Sequence, residues 1–324
     1  MPRRRPLEAR PVMPAFALHV VRSAAPRGRR ASAPRRLPRQ RRSHAPQVGV
    51  LVERRYLAQA QPRGLVTALQ SRGCRLRIVD PQASAFRLDD HAWLDGLDVV
   101  VARGRSWELL CLLAWAEARG LRTINRRASI GAVHNKAEMA VALEAAGVPM
   151  PRTFLGPPLR LAPRRRSVPL VLKPVFGDNG AGVRLLRNGV ELERVTWPDT
   201  VALAQELVES EGCEHKLYGI GDRVWAIERR ALFAPEGPRR PGPGPDAVPR
   251  AEAIEATPAE RALALRCRRI FGLDLYGLDC LPSANGPVVV EVNDFPNYTA
   301  VPSASERLAD FVLEGACSPL EQHP

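Results

Sequence analysis

Three lysines, Lys136, Lys173 and Lys216, stand against 45 arginines in the 324-residue chain. Arginine presents a rigid planar fork, whereas lysine is a compact point charge that can sit among phosphate oxygens. The places where lysine survives are therefore where phosphate chemistry is sought. Lys136 opens a predicted helix (His134-Asn135-Lys136), and Lys173 ends a predicted strand (Val171-Leu172-Lys173-Pro174). Lys216 follows an acidic segment, Glu214-His215. Three residues separate Lys173 from the run Gly177-Asp178-Asn179-Gly180-Ala181-Gly182. Such a loop can bring backbone N–H groups close to an anion, although a plain hairpin turn uses the same residues. It is not a Walker A loop, because the terminal Gly-Lys-Ser/Thr is missing. A strand lysine beside a glycine flap can hold phosphate oxygens; the plainer reading of Lys173 is a surface cation.

The strongest local signal is a group of oxygen-bearing side chains near the C-terminus. Glu291 and Asn293 are two apart in an apolar run that begins Val288-Val289-Val290, so an extended chain points both to one face. Hairpin pairing with residues 276–281 can bring Asp279 to the same face. Two carboxylates and an amide oxygen make a hard site suited to magnesium. Burying such acids without compensation is costly. The alternative is a strand end that reaches solvent, with Asn293 and Asp294 starting a turn.

These residues need a scaffold, and the apolar periodicity supplies one. Short runs at 49–52, 76–80, 97–101 and 122–125 alternate with helical patterns at 62–72 and 107–119. That alternation predicts a small parallel α/β unit, and without a GxGxxG turn a nicotinamide site has no support. A helix is predicted at about 135–146, then strands at 169–173 and 183–186 flanking the glycine loop, with residues 160–167 as a solvated connector. Residues 201–208 lead into a third region with neighbouring strands at 216–220 and 223–229, turning at Gly221-Asp222. Residues 235–250 are a Pro-Gly-rich loop, 259–271 an amphipathic helix, 276–281 and 288–293 the late strands, and 303–315 a closing helix. Four units are expected: an Arg-rich disordered tail (1–45), an N-terminal α/β domain (46–130), a central lobe with the glycine loop (131–204) and a C-terminal lobe with the metal site (205–316).

Bulk charge adds less than it promises. Residues 1–44 hold 13 arginines and one acid, Glu8, whereas the other 280 residues carry 35 basic and 33 acidic side chains. The pI of about 10.6 thus belongs to the tail, and no nucleic-acid partner is expected for the body. The tail reads equally as a start-site error or a real arm, with a cleaved targeting segment as a third reading. No other stretch is apolar and long enough for a membrane span, which points to a cytoplasmic protein without a membrane partner. The six cysteines are dispersed, no two at metal-ligand spacing and none beside an obvious His and acid. Most read as reduced, buried thiols, and a cysteine nucleophile is not expected. His134 reads equally as a helix-cap neighbour or a phosphate donor. His91, Trp93 and Trp107 read as structural or surface residues, and His215 has no defined partner.

The order of these motifs resembles the ATP-grasp superfamily over roughly residues 48–312: Asn135-Lys136, Val171-Leu172-Lys173-Pro174 with its glycine loop, Gln205-Glu206-Leu207-Val208, Gly277-Leu278-Asp279, and Val290-Glu291-Val292-Asn293. The ending Glu291 to Tyr298 is similar both to ribosomal-modification-type and glutathione-synthetase-like ligases and to inositol-trisphosphate kinases. The resemblance implies an α/β ATP-grasp fold behind a parallel α/β pre-ATP-grasp domain. It implies that Lys136 and Lys173 grip ATP phosphates and that Gly177, Gly180 and Gly182 cover them. Gln205, Glu206 and Val208 then lie at the hinge, the last two reading the adenine edge, and Glu209 or Glu211 takes the ribose. Asp279, Glu291 and Asn293 carry magnesium, or manganese in its place. Arg229 or Arg230 clamps the γ-phosphate or an acyl-phosphate. Lys216 is a further catalytic candidate and a departure: it stands where ligases of the superfamily have an Asp-x-Arg, which favours the kinase branch locally. Asn297 stands where glycine is common, and Phe295-Pro296, whose plainer reading is a proline turn capped by a buried aromatic, is expected both to shape that turn and to border the acceptor pocket. The leading expectation is an ATP- and magnesium-dependent carboxylate–amine ligase acting through an acyl-phosphate. Small-molecule or peptide carboxylates and amines would be its substrates, and a homodimer is ordinary for the architecture. The alternative is a small-molecule kinase.

Overall fold

The computed structural model describes residues 45–161, 169–177, 180–208, 210, 212–233 and 251–317. Several expectations lie outside the described residues: the Arg-rich tail before residue 45, Asp178 and Asn179 of the glycine loop, Glu209, Glu211, all but the first two residues of the 160–167 connector, and the 235–250 loop.

The chain first builds a parallel sheet. Strand β1 (Gln47–Val52) leads through a short turn of helix α1 (Arg54–Leu57) to α2 (Ala60–Ser71), β2 (Arg75–Val79), β3 (Val99–Arg103), α3 (Trp107–Ala118) and β4 (Arg122–Ile124). The four strands lie in the order β2-β1-β3-β4, all parallel. β3 is buried along its whole length, as expected of a strand covered on both faces. Two helices that follow, α4 (Arg127–His134) and α5 (Lys136–Ala145), are separated by Asn135. The Asn135 side chain accepts hydrogen bonds from the amides of Ala137 (3.0 Å) and Glu138 (3.2 Å). It thereby caps α5 and fixes Lys136 at its first position.

A second, antiparallel sheet comprises β5 (Thr153–Gly156), β6 (Leu170–Lys173), β7 (Arg184–Leu186) and, after the short helix α6 (Gly189–Arg194), β8 (Ala202–Glu206), in the order β5-β8-β6-β7. The third sheet holds β9 (Cys213–Ile220), β10 (Arg223–Arg230) and β11 (Glu252–Ile254), then, after helix α7 (Pro258–Phe271), β12 (Leu275–Leu281) and β13 (Val288–Asp294). Its order is β11-β10-β9-β12-β13. Helix α8 (Ala304–Cys317) closes the described chain. Its apolar side joins Leu308, Ala309 and Val312 to Leu65 and Leu69 of α2 in one core.

The short elements α1, β5, α6 and β11 and the eight-residue helix α4 have no counterpart in the predicted pattern, and β8 crosses the expected 204/205 boundary to include Gln205 and Glu206. Asn125 is buried and ties the first sheet to the third. Its side chain accepts from the amides of Asp274 (2.7 Å) and Leu275 (2.8 Å) and donates to the Leu275 carbonyl (2.7 Å). Phe295 and Tyr298 are also core residues, 1% exposed each. The Tyr298 hydroxyl donates to the carbonyl of Gly219 (2.8 Å), where a side chain would meet the ring of Tyr276. The Phe-Pro turn expected to border an acceptor pocket therefore inserts its aromatics into the core, and Asn297 accepts from Arg103 (3.3 Å).

Candidate active site

A cavity of about 450 Å³ opens between the second and third sheets. From the second sheet come Lys173, Gln205, Glu206 and Val208, with Gly177 and Gly180 of the glycine loop. From the third come Lys216, Arg229, Arg230, Asp279, Glu291 and Asn293, while Lys136 enters from the start of α5. Gly182 belongs to the same loop. Gly180 (φ 72°) and Gly182 (φ 75°) adopt left-handed backbone, which only glycine takes without strain.

The register explains the third-sheet cluster. Asp279 of β12 lies opposite Lys216 of β9 on one side and Glu291 of β13 on the other, with Gly277 opposite Asn293. The Lys216 ammonium is 3.0 Å from Asp279 Oδ1, and an Arg229 guanidinium nitrogen is 3.4 Å from the same oxygen. Arg229 also pairs with Glu214, Asn293 Nδ2 donates to Asp279 Oδ2 (3.1 Å), and Lys136 pairs with Glu291. Burial pushes the Asp279 carboxyl up, but Lys216 and Arg229 outweigh it and hold the group below the usual carboxylate range. Burial pulls Lys216 and Arg229 down, but the charge and hydrogen bond of Asp279 at Lys216, and Asp279 together with Glu214 at Arg229, leave both above their ordinary values. Glu214 is pushed up by its burial.

Lys173 is prepared differently. It is 7% exposed, and its ammonium donates to the side-chain oxygen of Gln205 (2.5 Å), whose amide in turn donates to Thr153 (3.2 Å). Burial lowers its pKa to about 8, with Glu291 opposing and Lys136 adding to the fall. The Lys136 amide donates to the Val175 carbonyl (3.0 Å), so α5 is tied to the segment that follows Lys173.

Most expected site residues thus meet in one cleft, with refinements. Arg229 joins the ion-pair network, whereas Arg230 is exposed at the strand end, opposite Cys213 in register. The Glu206 amide donates to the Arg152 carbonyl (3.0 Å), so an adenine edge would have to be read by other backbone groups of residues 206–208. The expectation that His215 lacks a partner, and that no cysteine lies beside a His and an acid, is overturned. His215 Nδ1 is 2.5 Å from Glu260 and Nε2 is 3.3 Å from Glu228, with Cys213 alongside. The missed signal was the Cys-x-His spacing, which puts both side chains on one face of a strand. Sequence reasoning also missed Glu53, 1% exposed, which accepts from the amides of Arg105 (2.6 Å) and Ser106 (2.7 Å).

The oxygen set fits a magnesium ion: Asp279, Glu291 and Asn293 sit on adjoining strands in register, and Asp279 is held ionised. Among the described residues, no helix is long and apolar enough to cross a membrane.

A family model described as the RimK-like ATP-grasp domain matches residues 160–307. A probable alpha-L-glutamate ligase of Stenotrophomonas maltophilia is 31% identical over 266 residues, covering 75% of this chain and 88% of the relative. Its counterpart in Methanococcoides burtonii is 29% identical over 273 residues, covering 78% and 89%. Among solved structures, a RimK domain ATP-grasp protein from Sphaerobacter thermophilus superposes with a TM-score of 0.66 at 22% identity. That match covers 82% of this chain and 99% of the other, and it speaks to fold.

Proposed function

The chain belongs to the RimK-like ATP-grasp family of the ATP-grasp superfamily, as a ligase forming carbon–nitrogen bonds, and we propose that it joins a carboxylate to an amine through an acyl-phosphate. The observation that carries this reading is the cleft itself. A buried ammonium with no carboxylate ion-pair partner among the described residues, Lys173, faces a carboxylate–amide set suited to a divalent ion. Magnesium, when bound, neutralises triphosphate charge and polarises the transferring group.

Each residue has a definite task in this scheme. Lys173 and Lys136 hold phosphate oxygens of ATP, and Gly177, Gly180 and Gly182 cover them and keep water from the acyl-phosphate. Asp279, Glu291 and Asn293 hold the ion, so Lys216, Arg229 and Lys136 must exchange carboxylate oxygens for substrate oxygens as the site fills. Arg229 then steadies the charge that develops on the phosphoryl group and on the tetrahedral centre formed by amine attack. Backbone groups of residues 206–208 border the base. No protein nucleophile is needed, since the amine displaces phosphate from the activated carboxyl group. Family membership supports ligation over the kinase alternative. Lys216, which had favoured the kinase, is engaged with Asp279.

The relatives are named as probable alpha-L-glutamate ligases, which makes glutamate the first substrate to try. Glutamate and a panel of amino acids and peptides should be incubated with ATP and magnesium, and products identified by mass. An amide accompanied by ADP and free phosphate is expected. A stable phosphoester would refute ligation.

A further inference from the structure

Strand β9 divides its residues between two faces. Glu214 and Lys216 turn to the cleft, where Arg229 and Asp279 meet them. Cys213 and His215 turn to the opposite face, and Glu228 of β10 lies directly across from His215. One ligand atom from each of Cys213, His215 and Glu228 lies within 4.8 Å of the other two. Glu260, near the start of α7, stands behind His215. Its Oε1 is 2.5 Å from His215 Nδ1, and its Oε2 accepts from the Thr257 amide and hydroxyl (2.8 Å each).

We propose that Cys213, His215 and Glu228 form a second metal site, distinct from the oxygen site of the cleft, that takes a zinc-class divalent ion, with Glu260 as its positioning residue. The donor set argues for the class: thiolate and imidazole favour zinc or cobalt over magnesium, and three protein ligands leave a fourth position for water. The spacing agrees. Two ligands on a tetrahedral ion with bonds of about 2.1 Å lie about 3.4 Å apart, and His215 Nε2 and Glu228 Oε2 are 3.3 Å apart. His215 lies between two carboxylates, Glu260 at Nδ1 and Glu228 at Nε2, so with the Nδ1 proton turned to Glu260 a proton or a metal ion bridges Nε2 and Glu228. Carboxylate–histidine–metal relays use this arrangement to fix the ring and its tautomer. Access is open on one side, since the Glu228 side chain is 47% exposed while that of Glu260 is 4% exposed. Binding deprotonates the Cys213 thiol and releases that proton to solvent. The ion would pin the β9–β10 hairpin to α7 and steady the strand that carries Glu214 and Lys216 into the cleft.

The test is a cobalt titration of the full chain, first stripped with chelator, in excess magnesium. A near-ultraviolet thiolate-to-cobalt band should saturate at one equivalent, release about one proton per ion, and be displaced by zinc. Cys213→Ser should abolish the band. Glu260→Gln, which preserves the capping pattern of α7, should weaken cobalt binding by about 10–100-fold. Asp279→Asn should leave the band intact. If Cys213→Ser does not fold, Glu228→Gln at the half-exposed position is read instead, with a loss of at least about tenfold expected. Absence of the band at equimolar cobalt, which would mean that a proton rather than a metal bridges His215 and Glu228, overturns the proposal. So does a band that survives in folded Cys213→Ser, or in Glu228→Gln with unchanged affinity.

Discussion

The two walls of the cleft meet the same substrate from differently prepared surfaces. On the β6–β8 wall, Lys173 is buried against the neutral side chain of Gln205, and burial lowers its pKa to about 8. On the β9–β10–β12–β13 wall, the carboxylates are already matched to cations: Asp279 to Lys216 and Arg229, Glu214 to Arg229, and Glu291 to Lys136 from α5. The first wall stores a destabilised charge of about 3 kcal/mol by its pKa shift, which an anion relieves. The second is self-compensated and must exchange partners. The difference teaches that removing a charge should have opposite effects on stability at the two walls, while lowering activity at both.

The largest effect is expected from Asp279→Asn. Activity should fall on the order of 10³-fold, and stability by about 3 kcal/mol, because Lys216 and Arg229 lose their buried partner. Turnover within a few-fold of the parent would show the metal assignment to be wrong. Lys173→Met should weaken ATP binding by about 10²-fold yet leave the denaturation midpoint at neutral pH unchanged or raised. A midpoint that falls as far as in Asp279→Asn would erase the contrast between the walls.

The pH dependence sharpens the same point. The folded pKa of Lys173 lies below its ordinary value of 10.5, so between about 8 and 10.5 the unfolded chain binds more protons and stability attributable to this residue rises with pH. ATP affinity should move the other way, weakening as pH climbs through about 8 and the ammonium is lost. Calorimetric titration with ATP across this range should show the decline in the parent and its absence in Lys173→Met. The smallest effect is expected from Asn135→Ala, which removes the cap of α5: a loss of about 1 kcal/mol and a few-fold rise in the KM for ATP, read from melting curves and steady-state rates.

Much of this site was visible in the sequence because its chemistry sits on regular elements. Glu291 and Asn293 share a face by strand alternation, and their meeting with Asp279 required only that two adjacent strands pair. Lys136 was marked by the helix cap before it, and Lys173 by the glycine loop after it. What escaped were relations set by tertiary register. Nothing local pairs Lys216 with Asp279, because β9 and β12 are separated by β10, β11 and α7. His215 finds Glu260 in the first turn of α7, and Asn125 finds Asp274 and Leu275 about 150 residues away. Phe295-Pro296 read as a pocket-bordering turn because an aromatic next to proline has no sequence mark that separates a pocket rim from a core.

The most direct test of ligation through an acyl-phosphate follows the oxygen of the carboxylate substrate. A productive acceptor, found in the amino-acid and peptide panel, should be labelled with oxygen-18 in its carboxyl group and turned over with ATP and magnesium. One labelled oxygen should appear in the released phosphate for each amide formed. Phosphate released without label would contradict the acyl-phosphate route.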